Sequence, residues 1–155
     1  MNERIYIIGG EGYIGNVVSQ YLLDEGYAIV SYDSLLFNNN HCVLNKTQNP
    51  NYQFIFGDML NTVHLTSVLN GVDGVVLLAG LVGDPITKKY PRESAAINDV
   101  GVKNVIDSCA KANIEKFIFI STCSNYGLIK NNELADEEFE LNPLSLYAKS
   151  KVNAE

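Results

Sequence analysis

Two groups of residues in this sequence have side chains and spacing that could do chemistry. The first lies in the last third, where Ser121-Thr122-Cys123-Ser124-Asn125-Tyr126-Gly127 is followed by Tyr147-Ala148-Lys149-Ser150-Lys151. Tyr147 and Lys151 stand four apart, so on a helix they share a face. A free phenol, with a pKa of about 10, is a poor base at neutral pH, but a neighbouring positive charge favours the phenolate. Tuning of that kind is what general-base work requires. The same spacing also arises where an aromatic anchor sits beside a solvated lysine, so the pair takes its meaning from what accompanies it. The second group is near the N-terminus, where Arg4-Ile5-Tyr6-Ile7-Ile8 runs into glycines at Gly9, Gly12 and Gly15. Such a turn can cradle a phosphate: one glycine lets the chain reverse, one lets the backbone approach closely, and one lets a helix pack against a strand.

The elements that must position these residues are legible around them. Ile5 to Ile8 has the continuous apolarity of a strand covered on both faces. After Gly12, the residues Ile14, Val17, Val18, Tyr21 and Leu22 recur at helical spacing, and Asp24-Glu25-Gly26 closes the pattern. Phosphate would sit on the free N–H groups of that helix, which begins near Tyr13. A second strand, Tyr27 to Tyr32, delivers Asp33 where a dinucleotide fold needs a carboxylate for the adenosine ribose. Glycines alone would be an inconsequential loop; strand, turn, helix, strand and acid together predict dinucleotide binding.

Further strands are predicted at Tyr52–Phe56, Asp73–Ala79 and Glu115–Ile120, and helices at Asn61–Leu69, Glu93–Asn113 and from Asn142-Pro143 to Glu155. In the long helix, Ala96, Ile97, Val100, Val105, Ile106 and Cys109 fall largely on one side, and in the last one Asn142 is the expected cap with Pro143 in the first turn. Ser34 to Asn51, Gly80 to Pro91, Ser121 to Gly127 and the acidic stretch Asn131 to Asn142 read as loops. Alternating strands and helices predict a doubly wound parallel sheet in a three-layer α/β/α arrangement, one domain over 1–155. Ligand should bind at the carboxyl ends of the strands, where strand order reverses beside strands one and four. That rim would carry Gly9 to Gly15, Asp33, Asp58, Ala79-Gly80 and Ser121-Thr122.

Composition bounds the function. The 155 residues are 46% hydrophobic and 19% charged, ordinary for a globular domain. A net charge of −7 offers no basic patch for nucleic acid. No apolar run approaches a membrane span and no signal pattern precedes the first strand, so the expectation is a cytoplasmic protein without a membrane partner. Cys42, Cys109 and Cys123 lack metal-site spacing, as do His41 and His64, so no metal is expected and the thiols should be reduced and mostly packed.

These motifs together resemble the N-terminal part of an extended short-chain dehydrogenase/reductase, the NAD-dependent epimerase/dehydratase group that includes nucleotide-sugar epimerases. Gly9-Gly10-Glu11-Gly12-Tyr13-Ile14-Gly15 is similar to the family's cofactor turn, and Asp33 to its ribose-binding acid. Gly57-Asp58-Met59 resembles the segment that touches adenine, Leu78-Ala79-Gly80 the strand-four segment beside the cofactor, and Asn98 the asparagine of the following helix. Thr122, preceded by Ser121, aligns with the catalytic Ser/Thr, and Tyr147 with Lys151 gives the YxxxK pair. The resemblance implies that Tyr147 removes a proton from a sugar hydroxyl, Thr122 hydrogen-bonds the same oxygen, and Lys151 holds the nicotinamide ribose and lowers the Tyr147 pKa. Asp33 and the lack of an arginine between it and Asn51 favour NAD over NADP.

The family's 4,6-dehydratases carry Asp-Glu immediately after the threonine, where this chain has Cys123-Ser124, so an epimerase acting on a nucleotide-diphosphate sugar is expected. A dehydrogenase/reductase or a dehydratase of the family stands as the alternative, and a non-catalytic dinucleotide sensor as the alternative of another class. Family members continue beyond the YxxxK helix into a C-terminal substrate region that is absent here, and dimerise through that helix and the long one before strand five. A homodimer is therefore implied for the full-length form.

Overall fold

The computed structural model describes residues 2–129 and 134–155. Its strands are β1 (Arg4–Ile8), β2 (Ala28–Asp33), β3 (Tyr52–Phe56), β4 (Gly74–Leu77) and β5 (Lys116–Phe119). Its α-helices are α1 (Tyr13–Asp24), α2 (Asn40–Lys46), α3 (Thr62–Val68), α4 (Asp84–Lys89), α5 (Pro91–Ala95), α6 (Val102–Lys111) and α7 (Leu146–Ala154). A π-helical stretch at Ala96–Gly101 joins α5 to α6, and a 3₁₀ turn occupies Cys123–Tyr126. The chain forms two compact units. One contains the residues up to Ala79 and Asn104–Ile120, and the other Gly80–Lys103 and Ser121–Glu155.

The first unit is a five-stranded parallel sheet in the order β3-β2-β1-β4-β5, with its reversal between β1 and β4 as the sequence predicts. Tyr6, Ile7 and Ile8 are at most 1% exposed, which is why β1 carries no polar alternation. Burying each such side chain contributes about 1.5–3 kcal/mol. Ile7 and Ile29 pack with Leu23 of α1 and Val43 of α2 on one face. On the other, Tyr6 stacks on Tyr32 and Tyr32 on His64 of α3. Helices therefore cover both faces of a Rossmann-like α/β unit.

In the second unit, α4 and α5 pack against α7, and α7 also packs against the Cys123–Tyr126 turn.

Several elements depart from the sequence expectation. Within the predicted loop 34–51, α2 forms because Cys42 packs inward and Lys46 is buried by a charge partner that hydropathy cannot show. The predicted loop 80–91 holds α4, entered through Gly83 at φ +91 with a proline in the first turn. The long helix begins at Pro91, and its π-helical stretch shifts the phase of the buried face: Asn98 is buried and Val100 exposed, the reverse of the apolar pattern. In α1 the buried stripe is Gly15, Ser19 and Leu23, while Ile14, Val17 and Tyr21 are exposed. The last helix starts at Leu146, capped by Ser145, whose hydroxyl accepts from the Ala148 N–H at 3.1 Å. Of the acidic stretch 131–142, residues 131–133 lie outside the described residues, and the remainder is neither helix nor strand.

Candidate functional site

In the first unit the residues that follow the strands build a cradle. Gly9 has φ +86, and a Cβ there would lie 2.6 Å from the Ala79 nitrogen. A Cβ at Gly15 would overlap the Gly9 carbonyl oxygen, so neither position admits a side chain. Gly12 opens α1 with no side-chain cap and no acid in the first turn, leaving the helix N-terminus to an anion. Tyr13 and Ile14, in that turn, are exposed.

Asp33 ends β2. Its Oδ2 accepts from the Glu11 N–H at 3.0 Å and its Oδ1 from the Leu35 N–H at 2.8 Å. Burial pushes its carboxyl above the ordinary value, and the two N–H groups pull the other way. After β3, Gly57 lies against the Tyr32 ring, whose hydroxyl donates to the Asp58 carbonyl at 2.9 Å. The Asp58 side chain accepts from the Leu60 N–H. Met59 is buried, and its carbonyl accepts from Asn104 Nδ2 at 3.1 Å. After β4, the Leu78 and Ala79 N–H groups both reach the Ile8 carbonyl, at 2.9 and 2.8 Å. The expected cofactor residues of this unit thus follow successive strands of one sheet.

In the second unit, Gly80 sits beside Asn98. Asn98 spends both ends of its amide on Leu81, accepting from its N–H at 2.8 Å and donating to its carbonyl at 2.9 Å. Its role here is to pin the chain after Gly80. Thr122 is extended, and its Oγ accepts from the Ser124 N–H at 3.2 Å, leaving the hydroxyl proton available to donate. Ser121 Oγ donates to Glu155 Oε1, and Asn125 Nδ2 donates to both Ser121 Oγ and Glu155 Oε1 at 3.0 Å. The threonine turn is thereby tied to the last residue of the chain.

Tyr147 and Lys151 come together as their spacing requires, with the Lys151 ammonium 5.7 Å from the Tyr147 ring centroid. Burial holds the Tyr147 phenol above its ordinary value, the opposite of the lowering implied by the resemblance. Burial likewise lowers the Lys151 ammonium, with Glu155 opposing. Desolvation, which disfavours the charged form of each group, is the leading cause of both shifts. A cavity of about 210 Å³ in the same unit is lined by Leu146, Lys149 and Ser150 of α7, not by Tyr147 or Lys151. Cys123 is exposed, whereas Cys42 and Cys109 are packed as expected.

Sequence reasoning missed a buried group behind the cradle. Glu11, within the glycine turn, meets Lys46, Ser31 and Tyr52. An acid among the glycines was the one signal that could have shown it.

Comparison with known proteins covers the sequence of both units. The chain is 28% identical over 152 residues to the human sterol-4-alpha-carboxylate 3-dehydrogenase (decarboxylating), covering 97% of this chain and 38% of that protein. It is 30% identical over 162 residues to the mouse dTDP-D-glucose 4,6-dehydratase, covering 99% of this chain and 44% of that one. The structure of UDP-glucuronic acid 4-epimerase from Bacillus cereus, in complex with UDP-glucuronic acid and NAD, superposes with a TM-score of 0.86 at 28% identity, over 97% of this chain and 49% of that chain. The chain thus spans less than half the length of these relatives, whose reactions differ. Residues 5–155 match the model of the NAD dependent epimerase/dehydratase family, and with the glycine cradle, the acid after β2 and the Tyr147–Lys151 pair all in place, the chain belongs to that family.

Proposed function

We propose that the protein carrying this chain is an NAD-dependent nucleotide-sugar epimerase, working through a keto-sugar with Tyr147 as general base. The observation that carries this reading is the half-buried Tyr147 with the Lys151 ammonium 5.7 Å from its ring, on the helix packed against the turn that follows Thr122. Cys123 and Ser124 stand in that turn, and neither side chain can serve as the carboxylic acid that elimination of a hydroxyl requires.

The residues present fit a dinucleotide: positions where a Cβ would collide line the turn, the α1 N-terminus is uncapped, and Asp33 presents a carboxylate. Gly9, Gly12, Tyr13, Ile14 and Gly15 would hold the pyrophosphate, Asp33 the adenosine ribose, and Asp58 with Met59 the adenine. Leu78 and Ala79 would complete the set in the first unit; in the second, Gly80, Ser121, Tyr147 and Lys151 are the proposed cofactor residues, and Asn98, its amide spent on Leu81, would act by holding the chain after Gly80. NAD held by these residues would supply the acceptance of hydride from a sugar carbon and its return to the opposite face. Tyr147 takes the proton of the sugar hydroxyl while the Thr122 hydroxyl donates to the same oxygen. Burial alone favours the neutral phenol, and the positive charge of Lys151 beside the ring is the group of this chain that would favour its ionisation. The full-length form is proposed to act as a cytoplasmic homodimer.

The test is product analysis by NMR with the full-length protein, NAD and a UDP-hexose. The expected product is the epimer without net NADH, falling about 10²–10⁴-fold in rate in Tyr147→Phe. A 4-keto-6-deoxy sugar formed with turnover would overturn the epimerase assignment, and unchanged turnover in Tyr147→Phe would overturn the base.

A further inference from the structure

Glu11 is the one ionic side chain in the glycine turn, and a carboxylate beside a turn suited to pyrophosphate should repel its ligand. It points inward instead. Glu11 is 1% and Lys46 2% exposed, with Lys46 Nζ 2.9 Å from Glu11 Oε2. Glu11 Oε1 accepts from Ser31 Oγ and from the Tyr52 hydroxyl, both at 2.7 Å, and Lys46 Nζ also donates to Asn16 Oδ1 at 2.6 Å. A buried ion pair overcomes its desolvation only when its remaining lone pairs and protons are satisfied, and here β2, β3 and α1 satisfy them.

The main chain of Glu11 is engaged as well. Its N–H donates to Asp33 Oδ2 at 3.0 Å, and its carbonyl accepts from Asn39 Nδ2. The segment leaving β2 is thus fastened to residue 11 at two points, Asn39 and Lys46. Between Asp33 and Asn39 the chain passes through left-handed conformations at Leu35 (φ 52) and Asn38 (φ 56). Residues other than glycine hold such angles where their surroundings over-determine them. The Leu35 N–H is the second donor to Asp33, on Oδ1. Each oxygen of the carboxylate is therefore aimed by one N–H, and both N–H groups lie in stretches fastened through Glu11.

We propose that Glu11 is a positioning residue for the cofactor: its Lys46-paired carboxylate locks the glycine turn to segment 34–51. The lock aims Asp33 at the two hydroxyls of an unphosphorylated adenosine ribose and cancels the charge beside the pyrophosphate turn. This rests on the NAD reading above and extends it to what sets the choice between NAD and NADP. Without the lock the Asp33 carboxylate is free to turn, which weakens its grip on the diol and relaxes its repulsion of a 2′-phosphate. Discrimination falls more than affinity.

The test is calorimetric titration of this chain and two variants with NAD and with NADP, each protein checked for fold by circular dichroism. Glu11→Ala/Lys46→Met removes both charges together, so that neither is left buried alone. The ratio of the NADP to the NAD dissociation constant is expected to fall about tenfold, the size of one lost charge-assisted hydrogen bond. Tyr52→Phe deletes a single hydroxyl from the network and carries the test if the double variant does not fold, with an expected fall of about threefold. A merely structural pair would lower the unfolding midpoint and leave the ratio alone, so an unchanged ratio in a folded variant overturns the proposal. If the unsubstituted chain bound NADP as tightly as NAD, the proposal would fall while the cofactor reading stood. If it bound neither, both would fall.

Discussion

Asn125 shows how much a single side chain can hide from sequence. It is a buried polar residue, and its amide Nδ2 bridges Ser121 and Glu155 at the turn that begins with Thr122. Tyr6 presents a different case. It is fully buried on β1, and its hydroxyl has no hydrogen-bond partner among the described residues. Burial raises its phenol strongly, with Tyr32 adding to the effect. Removing an unpaired buried hydroxyl relieves a desolvation cost without losing a bond, so Tyr6→Phe should be neutral or stabilising by up to about 1 kcal/mol. Urea unfolding followed by circular dichroism measures this, and a loss of stability would show that the hydroxyl has a partner after all.

At the scale of elements, what carries the candidate chemistry is the start of α7. Ser145 supplies the cap, two residues before Tyr147, and Ser145→Ala should cost about 1 kcal/mol. Asn142→Ala, at the cap expected from sequence, should change stability by less than about 0.5 kcal/mol in the same urea measurement. The strands, the glycine turn and α1 were legible because Ile5 to Ile8 is continuously apolar and Gly9, Gly12, Gly15 and Gly26 punctuate it. The Tyr147–Lys151 pair was legible because spacing of four on a helix is independent of where the helix starts. What escaped had physical reasons. Helix α2 is seven residues long and held by the buried Lys46, whose partner lies 35 residues away, so no local pattern could show it. The apolar stripe Ile14, Val17 and Tyr21 looked like a core face, yet Gly15 and Ser19 are buried because α1 lies close against the turn. The π-helical stretch shifted the buried face by inserting a residue, which a 3.6-residue period cannot anticipate.

At the scale of the whole molecule, buried proton donors set its response to alkali. Burial pushes the Cys109 thiol up to about 11 and the Tyr32 phenol up to about 12, and Tyr52 is raised by burial and by its bond to Glu11. The unfolded chain releases such protons at about 8.5 for a thiol and about 10 for a phenol. The folded chain keeps them longer, so above those values it binds more protons than the unfolded chain, and stability falls as pH rises. That contribution is intact below about pH 8.5 and declines from there towards pH 12, so the urea midpoint should be lower at about pH 10.5 than at about pH 8. An unchanged midpoint would mean that these groups titrate alike in both states. The family and the parallel sheet make the cofactor half the central claim. Calorimetric titration of the folded chain with NAD tests it most directly. Saturable binding at one site is the predicted result, and a folded chain that takes up no NAD would contradict it.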